Sequence, residues 1–323
     1  MKRWIVKILI VCLYYSCDNE KVILKINSSF PNPRIEKENT LSIKKIRLGK
    51  KLFNDSLLSS TGRIACASCH DESTSFTDAK KVSVGVHERT GTRNSPSLFN
   101  VVFLNSLNWD GGTNSIETQM LVPISDHREF DSSIPEILNK LNSNEKYRNE
   151  FINVWNDTIT AYTLTRTIGA FLRTIISDNS KYDQEINGLY SYNYIEQKGY
   201  DLFFSDSLNC SSCHTPPLFT NVEFMNNGLE EISIDSGRAR VTFQHRDLGL
   251  FKVPTLRNIL LTGPYMHDGR FNSIEEVLNH YQFEVENHFN LSPEIRKFKL
   301  KREDQESIIA FLKCLTDTTY ENY

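Results

Sequence analysis

Apolar residues recur at helical spacing in four stretches, and strand-like alternation is scarce and short. The spacing predicts helices over 42–53, 159–176, 194–204 and 300–315. In the second, Tyr162, Ile168, Phe171, Leu172 and Ile175 fall on one face; in the last, Ile308, Ile309, Phe311, Leu312 and Leu315 do. A fifth helix is predicted where Ser273 and Glu276 form a capping box, with Ile274, Val277, Leu278 and Tyr281 sharing a face. Residues 18–41 are mixed polar with Pro31 and Pro33 and no sustained period, which reads as a tether. The apolar period breaks again over 178–193, at Asp178-Asn179-Ser180-Lys181 and Gly188, the expected seam between domains at 42–178 and 179–323.

The first 17 residues follow another rule. Met1-Lys2-Arg3 precedes an apolar run over 4–13, broken only by Lys7 and too short to span a bilayer. This is an export signal. Ser16 before Cys17 resembles a bacterial lipoprotein signal in which Cys17 is lipidated, although Tyr14 stands where Leu is usual. A plain secretory signal or an uncleaved anchor is the alternative. The expectation is a periplasmic or cell-envelope protein, anchored by an N-terminal lipid. Cys12 leaves with the signal.

At 323 residues, 39% hydrophobic and 24% charged, the chain has room for two compact domains and is no membrane bundle. Its 37 basic and 40 acidic side chains leave no cationic surplus, so nucleic acid is not an expected partner. Loss of Lys2, Arg3 and Lys7 with residues 1–16 moves the net charge from −3 to −6. Seven Cys are too few for a disulfide scaffold, yet four form two tight pairs.

Those pairs lie in a duplication. Gly49-Lys50-Lys51-Leu52-Phe53 precedes Cys66-Ala67-Ser68-Cys69-His70, and Gly199-Tyr200-Asp201-Leu202-Phe203 precedes Cys210-Ser211-Ser212-Cys213-His214. The two His are 144 residues apart, a domain duplication and not a solenoid period. Cys-x-x-Cys-His is the c-type haem attachment pattern, in which two thiols reach the two vinyl groups of one porphyrin and the adjoining imidazole reaches iron. The competing readings are a structural disulfide, a thioredoxin-like pair and half of a zinc site. A thioredoxin pair wants a βαβ context, and zinc needs no His after each pair. Two covalent c-type haems are therefore expected, in a mainly α chain of two fused cytochrome c-like domains. Cys314 reads as a buried small hydrophobe.

Function then turns on the opposite face of each iron: a sixth protein ligand makes an electron carrier, an open face a catalyst. Phe251-Lys252-Val253-Pro254-Thr255-Leu256-Arg257-Asn258 and Pro264-Tyr265-Met266-His267-Asp268-Gly269, with Arg93-Asn94-Ser95-Pro96 and Trp109-Asp110-Gly111, carry a specific resemblance. Over about 42–316 the chain resembles the bacterial dihaem cytochrome c peroxidases, a family that includes the MauG enzymes of methylamine utilisation.

The resemblance implies a peroxidatic N-terminal haem on His70 and an electron-transfer haem on His214. It places the sixth ligand of the second haem at Tyr281, fourteen residues after His267, a Tyr as in the MauG type where standard peroxidases have Met. Met266 is a rival ligand that fits no family position. At the first haem Val86 occupies the place of the capping His of standard peroxidases, with His87 one residue later as a slipped ligand. Gln119 and Glu129 match the pair that orients peroxide and moves its proton, with Glu117 as runner-up; Trp109 matches the indole between the haems. Asn94, Thr262 and Pro264 match a Ca²⁺ site. The implied activity is reduction of H₂O₂ by electrons from a small cytochrome c or cupredoxin, with room for a homodimer. The alternatives are a MauG-like oxidation of a protein side chain and a dihaem carrier without turnover.

Overall fold

The computed structural model describes residues 21–319; the expected signal, with Cys12 and Cys17, lies outside the described residues. The fold is mainly helical. Its longer helices are α1 (Ile43–Phe53), α2 (Ile134–Ser143), α3 (Glu145–Trp155), α4 (Ala161–Leu172), α5 (Tyr194–Phe203), α6 (Ile274–Asn279) and α7 (Arg302–Lys313). A short antiparallel ribbon pairs β1 (Phe224–Met225) with β2 (Phe251–Lys252), Met225 opposite Phe251.

Local chemistry sets the helix starts. Ser42 accepts from Lys45 N at 3.3 Å, and Asn193 accepts from Glu196 N at 3.0 Å while Glu196 takes the Asn193 N–H at 3.0 Å. At α6 only half of the expected box forms: Ser273 accepts from Glu276 N at 3.2 Å, but the Glu276 carboxylate accepts from Asn272 N at 2.7 Å. Helix α4 stops at Leu172, earlier than its apolar period, because the next residues bond elsewhere. Asn100 donates its N–H to Ile175 O at 2.9 Å and accepts the Ser177 N–H at 3.0 Å. Tyr162, expected inward, is 47% exposed, with the Arg166 guanidinium over its ring at 3.7 Å.

In each half, the helix leading into the Cys-x-x-Cys-His turn crosses a later helix closely, α1 over α4 and α5 over α7. The duplicated glycine explains the closeness. A Cβ on Gly49 would strike Thr167 O, and one on Gly199 would strike Ser307 O, so only glycine allows these crossings. One core gathers Leu41, Ile46, Leu52, Phe76, Phe151 and Phe171, and a second gathers Phe203, Phe219, Ile308, Phe311 and Leu315.

From residue 21 onward the segment expected as a tether is instead a strap. Phe30 is buried with Val102, Phe103, Ile176 and Leu218, and the Arg257 guanidinium lies 4.5 Å from its ring centre. Asn27 N donates to Asp178 Oδ2 at 2.7 Å. A lone aromatic among polar residues has no period to betray it.

The fold also exposes a second duplication. Pro96-Ser97-Leu98-Phe99-Asn100 returns 158 residues later as Pro254-Thr255-Leu256-Arg257-Asn258, and Asn114-Ser115-Ile116-Glu117 returns as Asn272-Ser273-Ile274-Glu275. The backbone repeats with it: Asn100 and Asn258 sit at φ 64° and 59°, Gly111 and Gly269 at 69° and 64°. At this spacing Asn94 corresponds to Lys252, and Trp109 to His267. The halves meet through this correspondence: Lys252 N donates to Trp109 O and Asn94 N donates to His267 O, both at 2.7 Å. One contact is made twice, in opposite directions, as in a twofold interface between like subunits. Arg93 clamps it, reaching Asp110 Oδ2 at 2.6 Å and Asp235 at 2.7 and 2.8 Å.

Candidate active site

Each Cys-x-x-Cys segment is a single turn, Cys66–Ser68 and Cys210–Cys213, that places its His against a backbone carbonyl. His70 Nδ1 lies 3.0 Å from Phe76 O, and His214 Nδ1 lies 3.3 Å from Phe219 O and 3.2 Å from Pro254 O. An imidazole whose Nδ1–H is held by a carbonyl keeps a lone pair on Nε2, the form an iron ligand requires. Burial lowers the pKa of His70 and takes that of His214 down to about 4, so both rings are neutral.

The thiols move the other way. Burial pushes Cys66 and Cys210 up to about 12, whereas the thiols of redox pairs are lowered to become thiolates. No disulfide joins the four motif cysteines to one another. Among the described residues no group of three or more His, Cys, Asp or Glu is arranged to hold a metal ion, so the zinc reading finds no site.

The second motif opens on a large, mostly apolar cavity lined by Cys210, Cys213, His214, Met225, Met266 and Tyr281. Tyr281 reaches it on a π-helical turn, His280–Glu284, that continues α6. Such a widened turn offsets a side chain from its α-helical direction. Burial raises the Tyr281 phenol to about 12 against an opposing hydrogen bond from Asn227. Met266 lines the same cavity, its sulfur 3.4 Å from Asn227 Nδ2.

At the first motif, Val86 is buried and its N–H donates to Glu129 O at 2.9 Å. A Cβ on Gly85 would strike Arg128 O, so the two segments are fixed backbone to backbone. Burial raises the Cys66 and Cys69 thiols, and the negative charge of Glu129 adds to the rise at both. The residue keeps an exposed face, yet the protein around the carboxyl, helped by the charge of Asp126, raises its pKa to about 7. His87 turns away: its side chain is 53% exposed, with Nε2 3.9 Å from Asp131. By the 158-residue correspondence, Pro123 stands where the second half has Tyr281, and proline has no side-chain donor atom.

Gln119 is close to Trp109 in the chain fold but is already engaged. Its amide pairs head to tail with Asn108 at 2.7 and 2.8 Å, and Thr113 donates to its Oε1. Glu117 is committed to structure: Arg173 donates to its two oxygens at 2.7 and 3.0 Å and Asn39 to one at 3.1 Å. Burial would raise its pKa, but the Arg173 bonds outweigh that and hold it low, so it has no proton to move at neutral pH.

Trp109 joins the two halves. Its Nε1 donates to Asn94 O at 2.8 Å, next to Ser95, whose Oγ lies 3.3 Å from His70 Nδ1. Its own carbonyl receives the Lys252 N–H at 2.7 Å, two residues before the Pro254 carbonyl at His214. Sequence reasoning missed Lys252, which lines the cavity near Trp109 and whose pKa burial lowers to about 8. Asn94, Thr262 and Pro264 also line that cavity. Asn94 Nδ2 donates to Lys80 O at 2.8 Å, leaving its amide oxygen as the end available to a cation.

Two cradled Cys-x-x-Cys-His turns joined through one indole are the arrangement of a two-centre c-type cytochrome. A family model for the di-haem cytochrome c peroxidases matches residues 43–191. The chain is 30% identical to the methylamine utilization protein MauG of Methylophilus methylotrophus, over 86% of this chain and 84% of that one. It is 34% identical to the cytochrome c551 peroxidase of Nitrosomonas europaea, over 83% and 79%. Among solved structures, a MauG-like protein associated with microbial copper homeostasis superposes with a TM-score of 0.84 at 31% identity, covering 90% of this chain and 94% of that one. The chain belongs to the di-haem cytochrome c peroxidase family. That family implies two c-type haems and a peroxidase-type oxidoreductase.

Proposed function

We propose that the protein reduces H₂O₂ to water, taking electrons from a small cytochrome c or cupredoxin. The observation that carries this is the inequality of the two halves: Tyr281 lines the cavity of His214, while at the 158-residue spacing Pro123, which has no donor atom, stands in the first half where the second has Tyr281. Cys66, Cys69 and His70 would hold one haem, and Cys210, Cys213 and His214 the other. When bound, the haem iron supplies the electrons that cleave the O–O bond.

The chain's own groups do the rest. With a pKa near 7, Glu129 is balanced to take a proton from the near oxygen of peroxide and return it to the far one. Gln119, fixed by Asn108 and Thr113, would orient the oxidant through the second N–H of its amide, which those partners leave over. Tyr281 would close the second haem, since a buried phenol at about 12 ionises only where a cation compensates it. Lys252 would offer its ammonium to a haem carboxylate, Trp109 would link the two centres, and Asn94, Thr262 and Pro264 would offer oxygens to Ca²⁺. We place the sites in haem units at 42–178 and 179–323, on an exported and lipid-anchored chain.

The name of the Nitrosomonas relative supports a small c-type cytochrome as donor. Tyr281 and the MauG relatives favour a second reading, in which the oxidising equivalents act on a protein side chain. Steady-state oxidation of reduced cytochrome c by H₂O₂ separates the two. Sustained turnover is expected; negligible turnover with a long-lived oxidised protein would favour the second reading.

A further inference from the structure

Phe203 lines the cavity at His214, and a file of rings leads from it towards the surface. Its centre lies 5.2 Å from that of Phe311; Tyr200 and Tyr192 lie 5.6 and 6.3 Å from Phe311 and 5.8 Å from each other; Tyr190 lies 6.1 Å from Tyr192. Tyr190 is half-buried beside Leu189, which is 77% exposed. The fold does not demand these phenols. The first half repeats the inner pair, Phe53 and Phe171 at 5.2 Å, each Phe of α4 and α7 set against its duplicated glycine, but there Lys50 stands in the place of Tyr200.

The two outer phenols differ in what holds their protons. The Tyr192 hydroxyl is buried and meets no hydrogen-bond partner among the described residues. Such a group costs stability that a phenylalanine would not. Tyr190 instead donates to Glu196 Oε2 at 2.8 Å, while Lys181 Nζ donates to the Tyr190 oxygen at 3.0 Å and to Glu196 Oε1 at 3.1 Å. With the ammonium on the phenol oxygen, the phenol's own proton faces Glu196.

We infer that Tyr190 is a redox-active site of this protein: a phenol at the end of the file that gives one electron inward through the rings and its proton to the Glu196 carboxylate. The inference rests on the peroxide reading above. H₂O₂ takes two electrons and, with two protons from solvent, becomes water. With no donor protein at hand the haem pair supplies both electrons; Tyr190 then returns one of them and is left as a neutral phenoxyl radical beside a protonated Glu196. Its proton crosses a hydrogen bond of 2.8 Å, within the reach that proton transfer needs. Tyr192, with no acceptor for its proton, passes the electron on without keeping the vacancy.

The test mixes the two-haem holoprotein with H₂O₂ in the absence of donor and reads the haem bands together with freeze-quench electron paramagnetic resonance of organic radicals. The parent is expected to give a tyrosyl signal that the spin trap tert-nitrosobutane fixes on Tyr190. Tyr190→Phe keeps the ring and is expected to lose that signal while its haem bands respond as in the parent. Tyr194→Phe, at a ring 83% exposed but outside the file, is expected to keep it. Tyr192→Phe drops an unpartnered hydroxyl, so it is expected to match or exceed the parent in thermal stability while forming the radical roughly tenfold more slowly. Haem bands that respond to peroxide with no radical at Tyr190, or a signal that survives Tyr190→Phe, would overturn the redox role. An unchanged rate in Tyr192→Phe would overturn the route. Haem bands indifferent to peroxide would overturn the reading beneath both.

Discussion

The indole N–H of Trp109 donates to the carbonyl of Asn94 at 2.8 Å, one residue from the serine that touches His70. With the Lys252 N–H on its own carbonyl, Trp109 links the two histidine turns through hydrogen bonds. Trp109→Phe keeps an aromatic ring and removes the donor, leaving the buried carbonyl short of a partner. It is expected to cost about 1 kcal/mol of stability and to slow electron transfer between the haems. Stopped-flow reduction of one haem by the other checks this; an unchanged rate would remove Trp109 from the path.

Glu129 and Glu117 are both partly enclosed acids of the N-terminal half, and their environments assign them opposite tasks. Glu129→Gln is expected to slow the reaction with peroxide by roughly 100-fold or more while leaving thermal stability near that of the parent. Glu117→Ala leaves Arg173 buried and uncompensated, so it is expected to cost about 3–5 kcal/mol while folded molecules still react with peroxide. Calorimetry and single-turnover kinetics on both variants decide; a reversal of the two effects would exchange the assignments.

The pH profile follows from the sign of the Glu129 shift. Its carboxyl is raised to about 7, chiefly by burial, so the ionised form that accepts the peroxide proton is depleted below that pH. The second-order rate constant for peroxide is expected to rise with pH through about 7, and the limb to vanish in Glu129→Gln. A wild-type profile flat between pH 5 and 8 on this scale would place the proton shuttle elsewhere.

Lys252 is a half-buried ammonium that lines the cavity at His214. If it meets a haem carboxylate, Lys252→Met removes positive charge near the iron and favours the ferric state. Potentiometry is expected to show a lower midpoint for the second haem and little change for the first. Equal shifts at both centres would mean that Lys252 serves the interface and not one haem.

Much of the architecture could be read along the chain, because its determinants are local. The haem turns are contiguous pentapeptides, and α1, α5 and α7 are amphipathic over whole turns, the first two with their capping residues in place. What escaped has a different physical origin. The strap from residue 21 depends on Phe30 finding a seam built by distant residues. The end of α4 is set by Asn100, more than seventy positions earlier in the chain. The π turn at Tyr281 leaves no mark on hydrophobic period, and Glu117 reveals its commitment only through Arg173. The 158-residue repeat was present in the letters throughout, but the shared φ values and the reciprocal bonds of Asn94 and Lys252 give it meaning.

Spin state tests the central asymmetry most directly. Room-temperature absorption and electron paramagnetic resonance of the fully ferric holoprotein, before any reductant, are predicted to show one high-spin haem beside one low-spin haem with phenolate character. Two low-spin haems that remain low-spin on half reduction would contradict the account and leave an electron carrier.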